Sequence, residues 1–294
     1  MIDGLVIKGV ASRYKVDTAD GIVTSYARGK LKIDGEIRVG DKVGVEKQGK
    51  DFVIAKVYER KNALIRPYVA NVDVCFIVIA PVPAPDFMLV DKIIVNARMN
   101  GIEPVLLINK TDIADESFVK CTESDYQGVL DVIATSAKTK LNKDKIFEKT
   151  KGKTACLAGQ SAVGKSSLLN MLTGTESQET GGLSKKTERG KHTTRQSEIL
   201  VVSGARIIDT CGFSMLELPE NFCPQELVYY YDEFAPYAEK CRFRTGCTTS
   251  CTHTVEPDCA VKDAVESGKI SKNRYERYCV LYNELNEKWR KRYE

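Results

Sequence analysis

No stretch of this chain approaches the roughly 18 consecutive apolar residues that a membrane helix needs, and the longest near-continuous run is Val74 to Val82. The opening Met1-Ile2-Asp3-Gly4 lacks a basic segment followed by an apolar one, so no secretory signal and a cytoplasmic location are expected. No internal repeat is found. Histidine and tryptophan are scarce, with two residues and one. What is present is globular in balance: 43% hydrophobic and 29% charged residues set aside disorder and collagen-like or low-complexity fibres. At 294 residues, about two domains are expected, long enough to bury cores without crosslinks.

Ten cysteines in a chain this long, with no signal segment, point to metal ligation or burial before disulfides. Five of them lie between Cys223 and Cys259. The net charge of +4 is unevenly spread, with residues 1–68 at +5, residues 262–294 at +3 and the middle near −4. Basic flanks around an acidic centre suit a polyanion bound at the two ends, or else solvated faces.

Up to about Pro67, short alternating runs broken by glycine recur: Gly4 to Lys8, Gly21 to Val23, Gly35 to Val45 and Phe52 to Val57. Closely spaced strands without a helical stretch predict a five-stranded OB-type barrel. From Val69, apolar runs (Val72 to Ala80, Val105 to Ile108, Val129 to Ala134, Thr154 to Ala158, Ile199 to Val202, Arg206 to Ile208) alternate with helix-length segments. That pattern predicts a parallel sheet covered by helices. After Phe222 a cysteine-rich loop leads to a closing helix, whose Tyr275, Tyr278, Tyr282, Leu285 and Trp289 make one apolar stripe. Apart from that stripe, little apolar core is expected there. The predicted fold is multidomain α/β, divided at 1–68, 69–222 and 223–294.

Gly159-Gln160-Ser161-Ala162-Val163-Gly164-Lys165-Ser166, followed by Ser167, is a phosphate-binding loop placed between a strand and a helix. Its amides and helix N-terminus face phosphate, Lys165 reaches the β and γ oxygens as a catalytic cation, and Ser166 ligates magnesium. Asn109-Lys110-Thr111-Asp112 closes another strand. A carboxylate there accepts the paired donors of guanine, which adenine cannot supply, while Asn109 and the stem of Lys110 hold the rest of the base. Amides of Ser136, Ala137 and Lys138 are placed to meet the guanine O6. Asp209-Thr210-Cys211-Gly212 supplies a carboxylate for magnesium and an amide for the γ-phosphate, and Thr193 or Thr194 is a further magnesium ligand in a switch loop. In Ras-like GTPases the phosphate loop precedes the base-reading motif. Here the order is reversed, which is a circular permutation. The segment after Gly212 therefore leads straight into the C-terminal module, so a γ-phosphate-dependent move there reaches that module directly.

Barrel, permuted core and cysteine/histidine cluster, in this order along nearly the whole chain, resemble the ribosome small subunit-dependent GTPase A family. The strings that carry the likeness are Arg60 to Pro67 with Asn71-Val72-Asp73, Gly164 to Asn170, Arg189 to Thr194, Asp209 to Phe213, and Cys251-Thr252-His253 with Glu256 to Val261. The chain departs from the family's pattern at Ala162 (usually glycine), at Cys211 (proline), and by an insertion that adds Cys247.

Cys251, His253 and Cys259 with either Cys241 or Cys247 form a Cys3His set suited to one structural zinc, or remain buried thiols. The resemblance favours Cys241. It also implies His192 as the residue that positions water, or a shaper of the switch loop. Phe213 to Leu216 include no glutamine for that task, so hydrolysis by the protein alone is expected to be slow. Arg274, Arg277, Lys288, Arg290, Lys291 and Arg292 are the RNA candidates on the last helix. The resemblance implies a monomeric cytoplasmic GTPase with Mg2+ that acts on the small (30S) ribosomal subunit and its rRNA late in maturation and is stimulated by it. A GTPase for another RNA or a transport partner is the alternative, or a zinc-dependent RNA-binding module with nucleotide as a structural ligand.

Overall fold

The computed structural model describes residues 1–10, 12–27, 36–49, 51–64, 68–174, 197–202, 204–209, 218–219, 221–242 and 251–292. Strands β1 (Ile2–Val10), β2 (Arg13–Thr18), β3 (Gly21–Ala27), β4 (Lys42–Gln48) and β5 (Asp51–Val57) pair in the cyclic order β1-β2-β3-β5-β4 and back to β1. This is a closed barrel, with Val6, Val16, Val43, Val45 and Ile54 in its interior. The run beginning at Gly35 is not one strand, because the chain turns at Arg38–Asp41. There the Arg38 N–H donates to Asp41 Oδ2 (2.7 Å) and Gly40 takes φ +96°. The sequence reading also passed over β2, where Val16 is the one fully buried side chain.

A two-stranded connector, β6 (Ala63–Leu64) with β7 (Val69–Ala70), leads into the main sheet. Its strands β8 (Val74–Ile79), β9 (Glu103–Ile108), β10 (Asp131–Ala134), β11 (Thr154–Ala158), β12 (Glu198–Val202) and β13 (Ala205–Asp209) lie in the order β10-β9-β8-β11-β13-β12. Five are parallel, as expected, but β12 returns antiparallel on β13 as a hairpin. At the hairpin's outer edge β12 meets β1 at Lys8 and Glu198, so barrel and sheet are bonded edge to edge. Strand β8 is buried on both faces, and the period of two divides it. Cys75, Ile77 and Ile79 face helices α1 (Phe87–Met99) and α2 (Glu116–Tyr126), while Val74, Phe76 and Val78 face α3 (Lys143–Thr150) and α4 (Lys165–Thr173).

Helix α1 is rich in β-branched residues, so its propensity is modest and packing decides its state. Asp86 caps it by accepting from the Leu89 N–H (2.9 Å), and Val90, Ile93, Ile94 and Ala97 bury its inner stripe. After Phe222 no strand occurs among the described residues; 3-10 turns lead to α5 (Ala235–Ala238), α6 (Ala260–Glu266) and α7 (Lys272–Arg290). This module is not poor in core. Leu227, Tyr231, Phe234, Val261, Tyr278 and Leu281 pack together, and Val95 of α1 lies in the same cluster. The sequence stripe covered only α7's share of it. No helix among the described residues is long and apolar enough to cross a membrane.

Candidate functional site

The phosphate loop runs from the end of β11 into α4, where two glycines are required by close approach. Gly159 has φ +128° and a Cβ there would lie 2.3 Å from the Val78 carbonyl oxygen. A Cβ on Gly164, at φ +94°, would fall 2.4 Å from Nδ2 of Asn109. Ala162 occupies a left-handed conformation (φ +64°), the geometry that makes glycine the usual residue at this point. Its carbonyl accepts from Lys110 Nζ (2.7 Å), which also donates to the Val82 carbonyl (2.8 Å). Lys165 Nζ lies over the loop, donating to the carbonyls of Gly159 (2.7 Å) and Gln160. Burial lowers its pKa from the usual lysine value, an effect that phosphate charge opposes. Val163 is buried, Ser161 and Ser166 are exposed, and Ser167 is half-buried on the first turn of α4.

Asn109, at the end of β9, joins the base-reading and phosphate loops. Its Nδ2 donates to the Val163 carbonyl (2.8 Å) and its Oδ1 accepts from the Ala137 N–H (3.1 Å). Asp112 Oδ1 accepts from the Ser136 hydroxyl (2.7 Å), and Lys138 Nζ stands 3.8 Å from Oδ2. The Ser136 hydrogen bond, with Lys138 nearby, keeps the Asp112 carboxyl below the ordinary carboxylate range, so it is an acceptor throughout the neutral region. Sequence motifs far apart in the chain thus converge on one crevice at the C-terminal ends of parallel strands, the usual place for a ligand in an α/β sheet. Asp209 ends β13 and is half-buried. His192, Thr193, Thr194, Gly212 and Cys247 lie outside the described residues. The sequence reading missed the loop between β8 and α1, which contributes the Val82 carbonyl and the Asp86 N–H, the latter donating to Gln160 Oε1 (2.9 Å). Backbone donors and acceptors leave no side-chain signature.

A second constellation unites Cys241, Cys251, His253 and Cys259, all buried, with one ligand atom from each within 4.8 Å of the others. Cys259 Sγ is 3.8 Å from both Cys241 Sγ and Cys251 Sγ, and His253 Nδ1 lies 3.6 Å and 3.4 Å from the sulfurs of Cys241 and Cys259. A tetrahedral cation with bonds of about 2.3 Å to sulfur and about 2.05 Å to nitrogen requires separations near 3.8 Å and 3.6 Å, so the donor set fits one. Burial raises the pKa of the Cys251 and Cys259 thiols and lowers that of His253, opposing charge in the site, and a bound divalent ion would supply the compensation. The loop that carries His253 is held by Glu256, whose Oε1 accepts from the Thr252 N–H (2.8 Å) and hydroxyl (2.6 Å) and Oε2 from the Thr254 N–H (3.1 Å).

Two of the RNA candidates on α7 are not surface residues. Arg274 is fully buried and Arg277 partly so, and both bind Asp91 of α1. Spacing cannot tell an arginine facing solvent from one facing a buried carboxylate in another element. Lys288, Arg290, Lys291 and Arg292 are exposed.

The model of the RsgA GTPase family matches residues 57–219. The chain is 38% identical over 290 residues to the small ribosomal subunit biogenesis GTPase RsgA of Clostridium beijerinckii, covering 97% of this chain and 98% of that protein. It is 40% identical over 297 residues to the protein of the same name from Caldanaerobacter subterraneus subsp. tengcongensis, covering 99% and 98%. Among solved structures, YjeQ from Thermotoga maritima superposes with a TM-score of 0.81 at 35% identity, over 97% of this chain and 98% of that one. YloQ, a circularly permuted GTPase, gives 0.80 at 30%, over 98% and 96%. The chain belongs to the RsgA GTPase family and is a GTP hydrolase with a circularly permuted core.

Proposed function

We propose that this GTPase acts on the small (30S) ribosomal subunit late in its maturation, hydrolysing GTP when docked and then leaving. The name carried by full-length relatives supports the partner. The observation that supports the chemistry is Asn109, whose one amide binds both the phosphate loop and the Ala137 N–H of the base-reading loop. Three units carry the work: a barrel (1–68) on rRNA, the GTPase core (69–222), and a metal-binding module (223–294) whose exposed basic end meets rRNA again.

Within the core, Asp112 accepts from guanine N1 and N2, with Asn109, Lys110, Ser136, Ala137 and Lys138 around the base. The amides of Gly159 to Ser167 wrap the phosphates, and Lys165 neutralises charge developing on the β and γ oxygens. Ser166 and Asp209, joined by Thr193 or Thr194, are hard oxygen donors of the kind magnesium takes, and Gly212 senses the γ-phosphate. When bound, Mg2+ would neutralise charge that develops on the β- and γ-phosphates. His192 positions the attacking water in the docked state, and the switch after Gly212 passes the result to the C-terminal module. Cys241, Cys251, His253 and Cys259 hold one structural zinc. The protein is a cytoplasmic monomer.

Multiple-turnover phosphate release tests this reading. Small subunits are expected to raise a slow basal rate by about two orders of magnitude or more, because docking would favour the arrangement that stabilises the transition state. The stimulation should fall steeply with salt, as each neutralised phosphate releases counterions. Equal stimulation by large subunits or bulk RNA favours a GTPase of a different RNA. No turnover under any condition makes the nucleotide a structural ligand.

A further inference from the structure

Helix α1 belongs to the GTPase core, yet its middle is occupied by the C-terminal module. Asp91 is wholly buried, and both its oxygens are taken: Oδ1 by Arg274 Nη1 (2.5 Å) and the Tyr126 hydroxyl (2.8 Å), Oδ2 by Arg277 Nε (2.5 Å). Glu233 binds Arg274 from the other side, and the guanidinium stacks 4.5 Å from the Tyr231 ring centroid. Burial works against the charged guanidinium, but Asp91 and Glu233 outweigh it and hold the Arg274 pKa above its ordinary value.

The same turn of α7 has a second employment. Tyr275 donates its hydroxyl to the His253 carbonyl (2.9 Å) and Tyr278 to the Thr252 carbonyl (2.8 Å), in the loop between two of the cysteine ligands. Tyr278 is itself locked edge-on against Tyr231 and Phe234, with centroids 4.9 Å away in each case. Arginines on one side of the turn thus grip α1, and tyrosines on the other grip the metal loop. At its own N-terminus, α1 touches the phosphate loop through the Asp86 N–H and Gln160.

We infer that Asp91 and the Arg274–Tyr278 turn join the metal site and helix α1 into one cooperative structure, so that metal binding and the stability of α1 are thermodynamically coupled. The inference rests on reading the Cys3His cluster as a metal site. Its physical basis is that a buried pair broken on one side leaves an uncompensated charge, and that networks of such groups act together and not as separate pairs. Coupling of this kind is reciprocal: whatever the metal does for α1, Asp91 does for the metal. Asp91 is here a positioning residue and touches neither nucleotide nor metal.

Hydrogen exchange on the full-length, zinc-loaded protein, before and after chelation, reads one direction. Protection of Val90 to Ala97 is expected to fall at least tenfold on zinc removal, while barrel strands β4 and β5 change by less than twofold. The other direction is read by competition with a chromophoric zinc chelator, in which Asp91→Asn should bind zinc at least tenfold more weakly, with GDP binding as the check that the variant is folded. Tyr278→Phe removes a single hydroxyl from a ring that stays packed, so it serves if Asp91→Asn does not fold. It should weaken zinc severalfold and blunt the α1 response. Unchanged α1 exchange, with zinc affinity within twofold of the unmodified protein in the folded variants, overturns the inference alone. An unmodified protein that binds no zinc overturns the metal reading and the inference together.

Discussion

The GTPase core is joined to its two flanking units in different ways. The barrel has a core of its own, Val6, Val16, Val43, Val45 and Ile54, and meets the sheet through apolar residues such as Leu5, Ile7 and Val39. It adds the β1–β12 bridge and a partly exposed Lys8–Glu198 pair (2.5 Å). The C-terminal module shares its core with Val95 of α1 and is fastened by buried ion pairs at Asp91. Apolar contacts tolerate small rearrangements, whereas buried ion pairs demand one geometry and fail abruptly when a partner is lost. The barrel junction is therefore the forgiving one and the C-terminal junction the brittle one.

The sharpest way to break this contrast is Arg274→Ala, which leaves Asp91 buried beside a single remaining guanidinium and takes from Glu233 the one that binds it directly. A loss of about 3–5 kcal/mol is expected in denaturant titrations. In the barrel, Ile54→Val removes one buried methylene and should cost about 0.5–1.5 kcal/mol, with GDP affinity unchanged within twofold. A smaller effect is tied to acid. Asp73 bridges the barrel connector to the sheet, accepting from Lys61 Nζ (2.7 Å) and the Thr154 N–H (2.9 Å). Burial pushes its pKa up, but these donors outweigh it and hold the carboxyl below the ordinary aspartate value. Because the folded-state pKa is depressed, the associated stability is complete above that value and is lost as pH falls through the folded pKa. Asp73→Asn should flatten the acid limb of the stability profile by about 1 kcal/mol or less, Lys61 being mostly exposed. Smallest of all, Lys8→Ala should cost under about 1 kcal/mol, because half-exposed pairs are weak.

The placement of strands and loops was legible wherever a single element carries its own signal. The phosphate loop, Asn109 to Asp112 and the strand Thr154 to Ala158 could be placed from spacing and period alone, and β11 spans the very residues named. What was hidden depends on pairs of distant elements. Arg274 and Arg277 looked like solvent-facing cations because nothing local in α7 announces Asp91, 183 residues away from Arg274. The C-terminal core looked thin because its members are spread over 3-10 turns, α6, α7 and α1, with no long periodic run to reveal them. The break at Arg38–Asp41 was masked by alternating apolar residues on both sides of it, since Ile37 and Val39 are buried without belonging to a strand. Of the two cysteines that could complete the metal set, Cys241 lies with Cys251, His253 and Cys259, while Cys247 falls outside the described residues.

Trp289, the chain's one tryptophan, stands on α7 and makes the contrast measurable in a single titration. With zinc and a fluorescent GDP analogue bound, denaturant unfolding can be followed by tryptophan emission for the C-terminal module and by release of the analogue for the GTPase core. A module fused to α1 predicts that the two signals share one midpoint in the unmodified protein. A tryptophan transition completed while the nucleotide is still fully bound would contradict the account, since the module would then unfold without disturbing the helix it is said to share.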